Sequence, residues 1–119
     1  MTDAQTTIAQ LREMMEKFVD EREWNQFHNP KNLSIALVAE AAELLELFQW
    51  MELEASRDLV EKKKKEVADE LADVVTAALM FANACNIDVA AAIEDKMARN
   101  RAKYPVEKSR GRYTKYTDL

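Results

Sequence analysis

The sequence predicts an all-α protein, and three observations carry that prediction. Only one of the 119 residues is glycine (Gly111) and two are proline (Pro30, Pro105), so backbone breakers are scarce. Ala, Leu, Glu and Lys, which favour helices, are abundant. Apolar residues recur at spacings of three and four, and no long alternation of the kind a strand needs interrupts them.

Taken in order, Ile8, Leu11, Met15 and Phe18 mark a first amphipathic helix over about 6–22, with Glu13, Lys17 and Asp20 outside its apolar stripe. EWNQFHNP breaks the period with aromatics, an imidazole and amides, and reads as a structured loop. Asn29 suits a cap and Pro30 a first helical position, so a second helix is expected from there to about Glu52. Residues 53–57 read as a turn, with Ser56 or Asp58 capping a third helix over about 59–84 that Asn86 ends. Its opening, EKKKKE, reads as a solvated face. Asp88 can cap a fourth helix running through Val89, Ile93 and Met97 to Tyr104, where Pro105 stops it. From about 106 the chain reads as an irregular basic tail on a single domain spanning 1–119.

Composition excludes several classes of function. One cysteine (Cys85) and one histidine (His28) cannot supply a disulfide framework or a Cys/His zinc site, and a reducing, cytoplasmic setting fits. No run approaches the roughly 20 apolar residues of a membrane span, and MTDAQTTIAQ lacks the order of a signal peptide, so no membrane partner is expected. A net charge of −5 disfavours nucleic acid as a partner.

The anomaly lies in LSIALVAEAAELLELFQW. At roughly 100° per residue, Glu40, Glu43, Leu47 and Trp50 fall within a sector of about 80° that Leu33 and Ala36 share. Carboxylates beside an apolar face are tolerable when a cation lies opposite them. The third helix repeats the pattern: Glu66, Glu70 and Asp73 lie within about 60° of one another. Two facing helices, each with an acid pair spaced by three (Glu40/Glu43 and Glu70/Asp73), can converge four oxygen donors on one point. Such hard ligands favour Mg2+, with Mn2+ as an alternative. A ferritin-like di-iron site would also need Glu-x-x-His, which the single histidine cannot provide.

On the fourth helix Lys96, Asn100 and Tyr104 share a sector of about 100° with Val89, Ile93 and Met97, where they can bind phosphate or simply pack and snorkel. Trp24 and Trp50 flank the acidic stretch. Each is either a core residue or a stacking face for a base, with Asn25 and His28 beside Trp24 to supply polar edges.

EWNQFHNPKNLSIALVAEAAELLELFQW, EVADELADV and KMARNRAKYP together resemble the MazG-like all-α nucleoside triphosphate pyrophosphohydrolases, nearest to the branch containing the dCTP pyrophosphatases. The resemblance runs from about Phe18 to Tyr104. It implies a four-helix bundle whose core is completed by oligomerisation, commonly as a dimer of dimers, hence a homotetramer. It also implies hydrolysis between the α- and β-phosphates of a nucleoside triphosphate. Glu40, Glu43, Glu70 and Asp73 then match the Mg2+ ligands, and Glu40 or Glu43 the catalytic carboxylate that orients water. Trp24, His28 and Trp50 match positions around base and sugar, and Lys96, Asn100 and Tyr104 positions reaching the phosphates. The expected substrate is dCTP or a modified pyrimidine deoxynucleotide.

Two departures bear on this. Ala39 stands where many members have a second glutamate, and Ala77 where close dCTP pyrophosphatases have an aromatic residue, which suggests space beside the base. Competing functions are a non-catalytic helical, oligomeric interaction module, whose acids bind only a partner or structural metal, and a phosphoribosyl-ATP pyrophosphohydrolase-like enzyme. Wide apolar faces around Leu44, Leu45, Leu47 and Phe48 point to an obligate oligomer.

Overall fold

The structure, a computed structural model, describes residues 1–119, is all-α and contains no strand. Residues Met1–Asn86 and Ile87–Leu119 form two compact units.

The first unit holds four α-helices and a short 3-10 turn. Helix α1 (Ile8–Glu21) opens on a reciprocal cap: Thr7 Oγ1 accepts from the Gln10 amide at 3.1 Å while the Thr7 amide donates to Gln10 Oε1 at 2.8 Å. Its buried residues are Met15 and Val19. Phe18, expected in the core stripe, instead lies at its edge, against Trp24 and beneath the Arg22 guanidinium. The 3-10 turn Trp24–Phe27 follows, entered through Glu23 at φ 53°.

Helix α2 (Pro30–Glu46) starts as the sequence predicts, with Asn29 accepting from the Asn32 amide at 2.9 Å and Pro30 in the first turn. Its end differs from the expected Glu52. The amides of Leu47 and Phe48 bond three residues back, to Leu44 and Leu45, so the last turn tightens and the chain leaves the helix before Trp50. The expected turn at 53–57 is instead the start of helix α3 (Leu53–Lys62). Ser56 does not cap it; its hydroxyl donates back to the Leu53 carbonyl at 2.6 Å from within the helix.

The expected third helix is likewise two helices. Lys63, at φ −125° and ψ 41°, separates α3 from α4 (Lys64–Cys85). The break falls inside the lysine run Lys62–Lys65. Asn86, at φ 53°, ends α4 as expected.

Helix α4 is the spine of this unit, with α2 packed along it, α1 against it and α3 touching its start. The side chains of Arg12 and Asn83 join α1 to α4: Arg12 Nε donates to Asn83 Oδ1 at 2.7 Å, and Asn83 Nδ2 donates to the Arg12 carbonyl at 3.1 Å. Buried apolar residues are few: Met15, Val19, Leu33, Ala77, Leu79 and Ala82. Ala77 is therefore a packed position, 7% exposed, and not an open space.

The second unit is built on α5 (Val89–Lys103), capped by Asp88, whose side chain accepts from the Ala91 amide at 2.9 Å. The expected buried stripe does not form, because Ile93 and Met97 stay half exposed. Beyond α5 the unit offers only a single helical turn, α6 (Val106–Ser109), and a 3-10 turn at Tyr116–Asp118 with which to cover them. These two turns also correct the expectation of a wholly irregular tail. No single helix in the chain is long and apolar enough to cross a membrane.

Candidate metal centre and adjoining cavity

The inward row of α2, buried or half-buried, is Leu33, Leu37, Glu40 and Leu44, continued by Leu47 at its C-cap, so Glu40 sits in a line of leucines. On α4 the corresponding row is Val67, Glu70, Val74, Ala77 and Phe81. Each row carries one acid inward, and one turn later comes a more exposed acid, Glu43 or Asp73. Packing α2 along α4 brings all four together: one carboxylate oxygen from each of Glu40, Glu43, Glu70 and Asp73 lies within 4.8 Å of the others.

The electrostatics of that cluster call for a cation. Burial pushes the Glu40 carboxyl above the usual range, and repulsion from Glu43, then from Asp73 and Glu70, pushes it the same way. Glu70 is raised by burial and then by the charges of Glu43 and Asp73. Glu40 Oε2 and Glu70 Oε2 are buried and find no hydrogen-bond partner within the protein. A buried acceptor left unsatisfied is costly. A divalent ion among four hard oxygen donors would satisfy both atoms and relieve the repulsion, so these residues fit Mg2+ or Mn2+.

A cavity of about 400 Å³ lies between α1, the 3-10 turn and α4, lined by Glu16, Val19, Asp20, Asn25, His28, Met80, Asn83 and Ala84. Asn25 and His28, two of the sequence candidates, are in its wall. Asn25 Nδ2 donates to Asp20 Oδ1. The 3-10 turn is tied to α2 by Asn32 Nδ2, which donates to the Phe27 carbonyl at 3.1 Å. Glu16, Asp20 and Asn83 were not among the sequence candidates. The signal was available: Glu16 and Asp20 lie at i, i+4 on α1 beside its apolar stripe, and Asn83 is the one amide in the run ALMFANAC.

The tryptophans are not in that wall. Trp24 is half exposed, its ring edge-on to Phe18 at 5.7 Å between centroids. Trp50, in the turn after α2, is 89% exposed. In the second unit Tyr104 caps α5 and packs edge-on to Tyr116, and Asn100 Nδ2 lies 3.9 Å from Met97 Sδ. Lys96 is exposed on α5.

The fold is all-α, and its facing helices gather four carboxylates, two of them with buried unpartnered oxygens, in an arrangement that could hold a divalent cation. The chain belongs to the MazG-like family, which matches residues 35–119. Its curated relatives include dCTP pyrophosphatase 1 of Rattus norvegicus, 42% identical over 95% of this chain and 68% of that protein. The dCTP pyrophosphatase 1 of Homo sapiens is 36% identical over the same shares. Among solved structures, a pyrophosphatase from Archaeoglobus fulgidus superposes with a TM-score of 0.80 at 34% identity, covering 88% of this chain and 98% of that one.

Proposed function

We propose that this nucleotide pyrophosphohydrolase acts on pyrimidine deoxynucleoside triphosphates, dCTP or a 5-substituted relative first among them. The products are the nucleoside monophosphate and pyrophosphate. The observation that carries the reading is the cluster of four carboxylates with two buried, unpartnered oxygens, in a chain of this family. The names of its curated relatives support the activity and the base, and that of the solved structure supports the activity.

Glu40, Glu43, Glu70 and Asp73 would hold Mg2+, or Mn2+ in its place. Bound there, the ion offsets charge on the phosphoryl oxygens, so that a polyanion can approach four acids. The reaction consumes one water: its oxygen bonds to phosphorus, the bridging P–O bond between the α- and β-phosphates breaks, and its proton passes to a carboxylate. Glu40, with a raised carboxyl, and Glu43 beside it are the residues assigned to orient that water and take its proton. Lys96, Asn100 and Tyr104 are assigned to the phosphates. Trp24 and Trp50 are assigned to stacking on the base, with Asn25 and His28 at its polar edge.

The same reading makes the chain a homo-oligomer, a tetramer built as a dimer of dimers. Exposed apolar residues on the outer face of α2 support it: Ile35, Val38 and Leu45 are 58%, 69% and 57% exposed and fall within about 80° of one another. The excess apolar surface is thus not where the sequence suggested, since of Leu44, Leu45, Leu47 and Phe48 only Leu45 is exposed. A cytoplasmic setting fits the one free thiol, Cys85.

The test is a Mg2+ titration with dCTP in which both products are identified. Monophosphate and pyrophosphate in equal amounts, absent without divalent ion, are expected. Release of inorganic phosphate, or full turnover in chelator, refutes the reading.

A further inference from the structure

Two residues that line the cavity between α1, the 3-10 turn and α4, Glu16 and Asp20, carry groups that when ionised only accept hydrogen bonds. Glu16 and Asp20 project from adjacent turns of α1, about 40° apart around the helix, and the buried Val19 lies about 60° to the other side of Glu16. Asp20 has one oxygen engaged by Asn25 Nδ2, which turns the Asn25 amide oxygen the other way. Asn83, on the facing wall, is pinned by its two hydrogen bonds with Arg12. Val19, Met80 and Ala84 are the apolar part of the cavity lining.

The cavity is also correctly placed for a base. On α4, Asp73, Met80 and Ala84 lie within about 40° of one another, so cavity and carboxylate cluster share one face of one helix. Met80 stands about 10 Å along the axis from Asp73, two helical turns. That is close to the reach from a nucleotide's α-phosphate to the far edge of its base.

We infer that Asp20, with Glu16 beside it, is the specificity-determining residue of this pocket and receives the exocyclic amino group of a cytosine-type base. Cytosine presents an N–H donor at its 4-position, where uracil and thymine present an acceptor oxygen. A carboxylate can accept from the first and has nothing to donate to the second. An oxo base there sets its acceptor oxygen against the second oxygen of Asp20, with no hydrogen bond between them. The inference rests on the pyrophosphohydrolase reading only for the identity of the ligand.

The experiment is calorimetric titration of the full chain with dCMP and with dUMP, which differ at the 4-position and its ring nitrogen, for the native protein, Asp20→Asn and Glu16→Gln. Both residues are exposed, so neither substitution endangers the fold. Native protein should bind dCMP at least about tenfold more tightly than dUMP, the worth of one hydrogen bond to a charged group. Asp20→Asn, whose amide can donate or accept, should bring the ratio close to one, and Glu16→Gln should reduce it less. Equal binding of the two by native protein, binding of neither at millimolar concentration, or a ratio unmoved in Asp20→Asn overturns the inference. Pyrophosphate release from dCTP and dUTP, followed in parallel, keeps the two claims apart. Release from both without preference leaves the activity standing and removes Asp20 from its role. A cytosine preference in binding with no release from any triphosphate does the reverse.

Discussion

Val38→Asp tests whether the outer face of α2 is covered by another copy of the chain. Val38 is 69% exposed, so in an isolated chain the substitution touches little and should change stability by no more than about 0.5 kcal/mol. In an oligomer the arithmetic differs. Fully burying a side chain of this size is worth about 1.5–3 kcal/mol, so the exposed 69% of Val38 carries roughly 1–2 kcal/mol. A two-fold interface uses the same patch on both copies and doubles that to about 2–4 kcal/mol before any cost of burying the carboxylate. Dissociation should therefore strengthen by at least about thirtyfold, and by more once two aspartates face one another. Ile35 and Leu45, at 58% and 57%, contribute comparable shares, so the row is large enough to matter against the cost of association. Sedimentation equilibrium at micromolar concentration reads the outcome, with circular dichroism to confirm that the helices persist. A native chain that is monomeric there, or a Val38→Asp protein that assembles as the native does, refutes the reasoning.

Two further predictions concern the site. In metal-free protein Glu40→Gln should raise the melting temperature at neutral pH, because the raised Glu40 carboxyl makes the folded state bind its proton more tightly than the unfolded state does. That contribution favours folding at acid pH and is lost as pH rises from the ordinary glutamate range through the raised folded value, so thermal melts against pH should slope less in the variant; an identical slope contradicts it. Trp24→Ala and Trp50→Ala should each raise KM for dCTP by about ten- to hundredfold, with kcat less affected, if each supplies a stacking face. Steady-state kinetics with KM unchanged in both would end that assignment.

Much of this architecture was legible because it is written in local chemistry. Asn29-Pro30, Asn86 and Asp88 mark helix ends by capping, which depends on a few adjacent residues. The two acid pairs were legible for a similar reason: a spacing of three fixes a shared face, and aliphatic neighbours reveal that the face is buried. What escaped depends on packing. The end of α2 has no glycine or proline, and LELFQW is apolar on every side, so nothing local says where the turn tightens. Ser56 looks like a cap and bonds backward instead. Phe18 and Val19 are adjacent, and only the direction of α1 against α4 decides that Val19 is the buried one. Ala77 read as vacant space because a small residue leaves room only if its neighbours stay away. The cavity joins residues of α1 to Asn83, far apart in sequence, and no spacing rule links them.

In the proposed mechanism Glu40, Glu43, Glu70 and Asp73 form the metal centre on which hydrolysis depends. The most direct measurement is Mn2+ binding, followed by paramagnetic resonance or calorimetry, on native protein, Glu43→Gln and Asp73→Asn, with pyrophosphate release from dCTP recorded on the same samples. Both substitutions keep volume and remove one ligand charge at exposed positions, so the helical fold should persist. Native protein should bind Mn2+ saturably, and both variants should lose binding and turnover together. Native affinity for Mn2+ in either variant, or turnover at the native rate at saturating Mg2+, would contradict that mechanism.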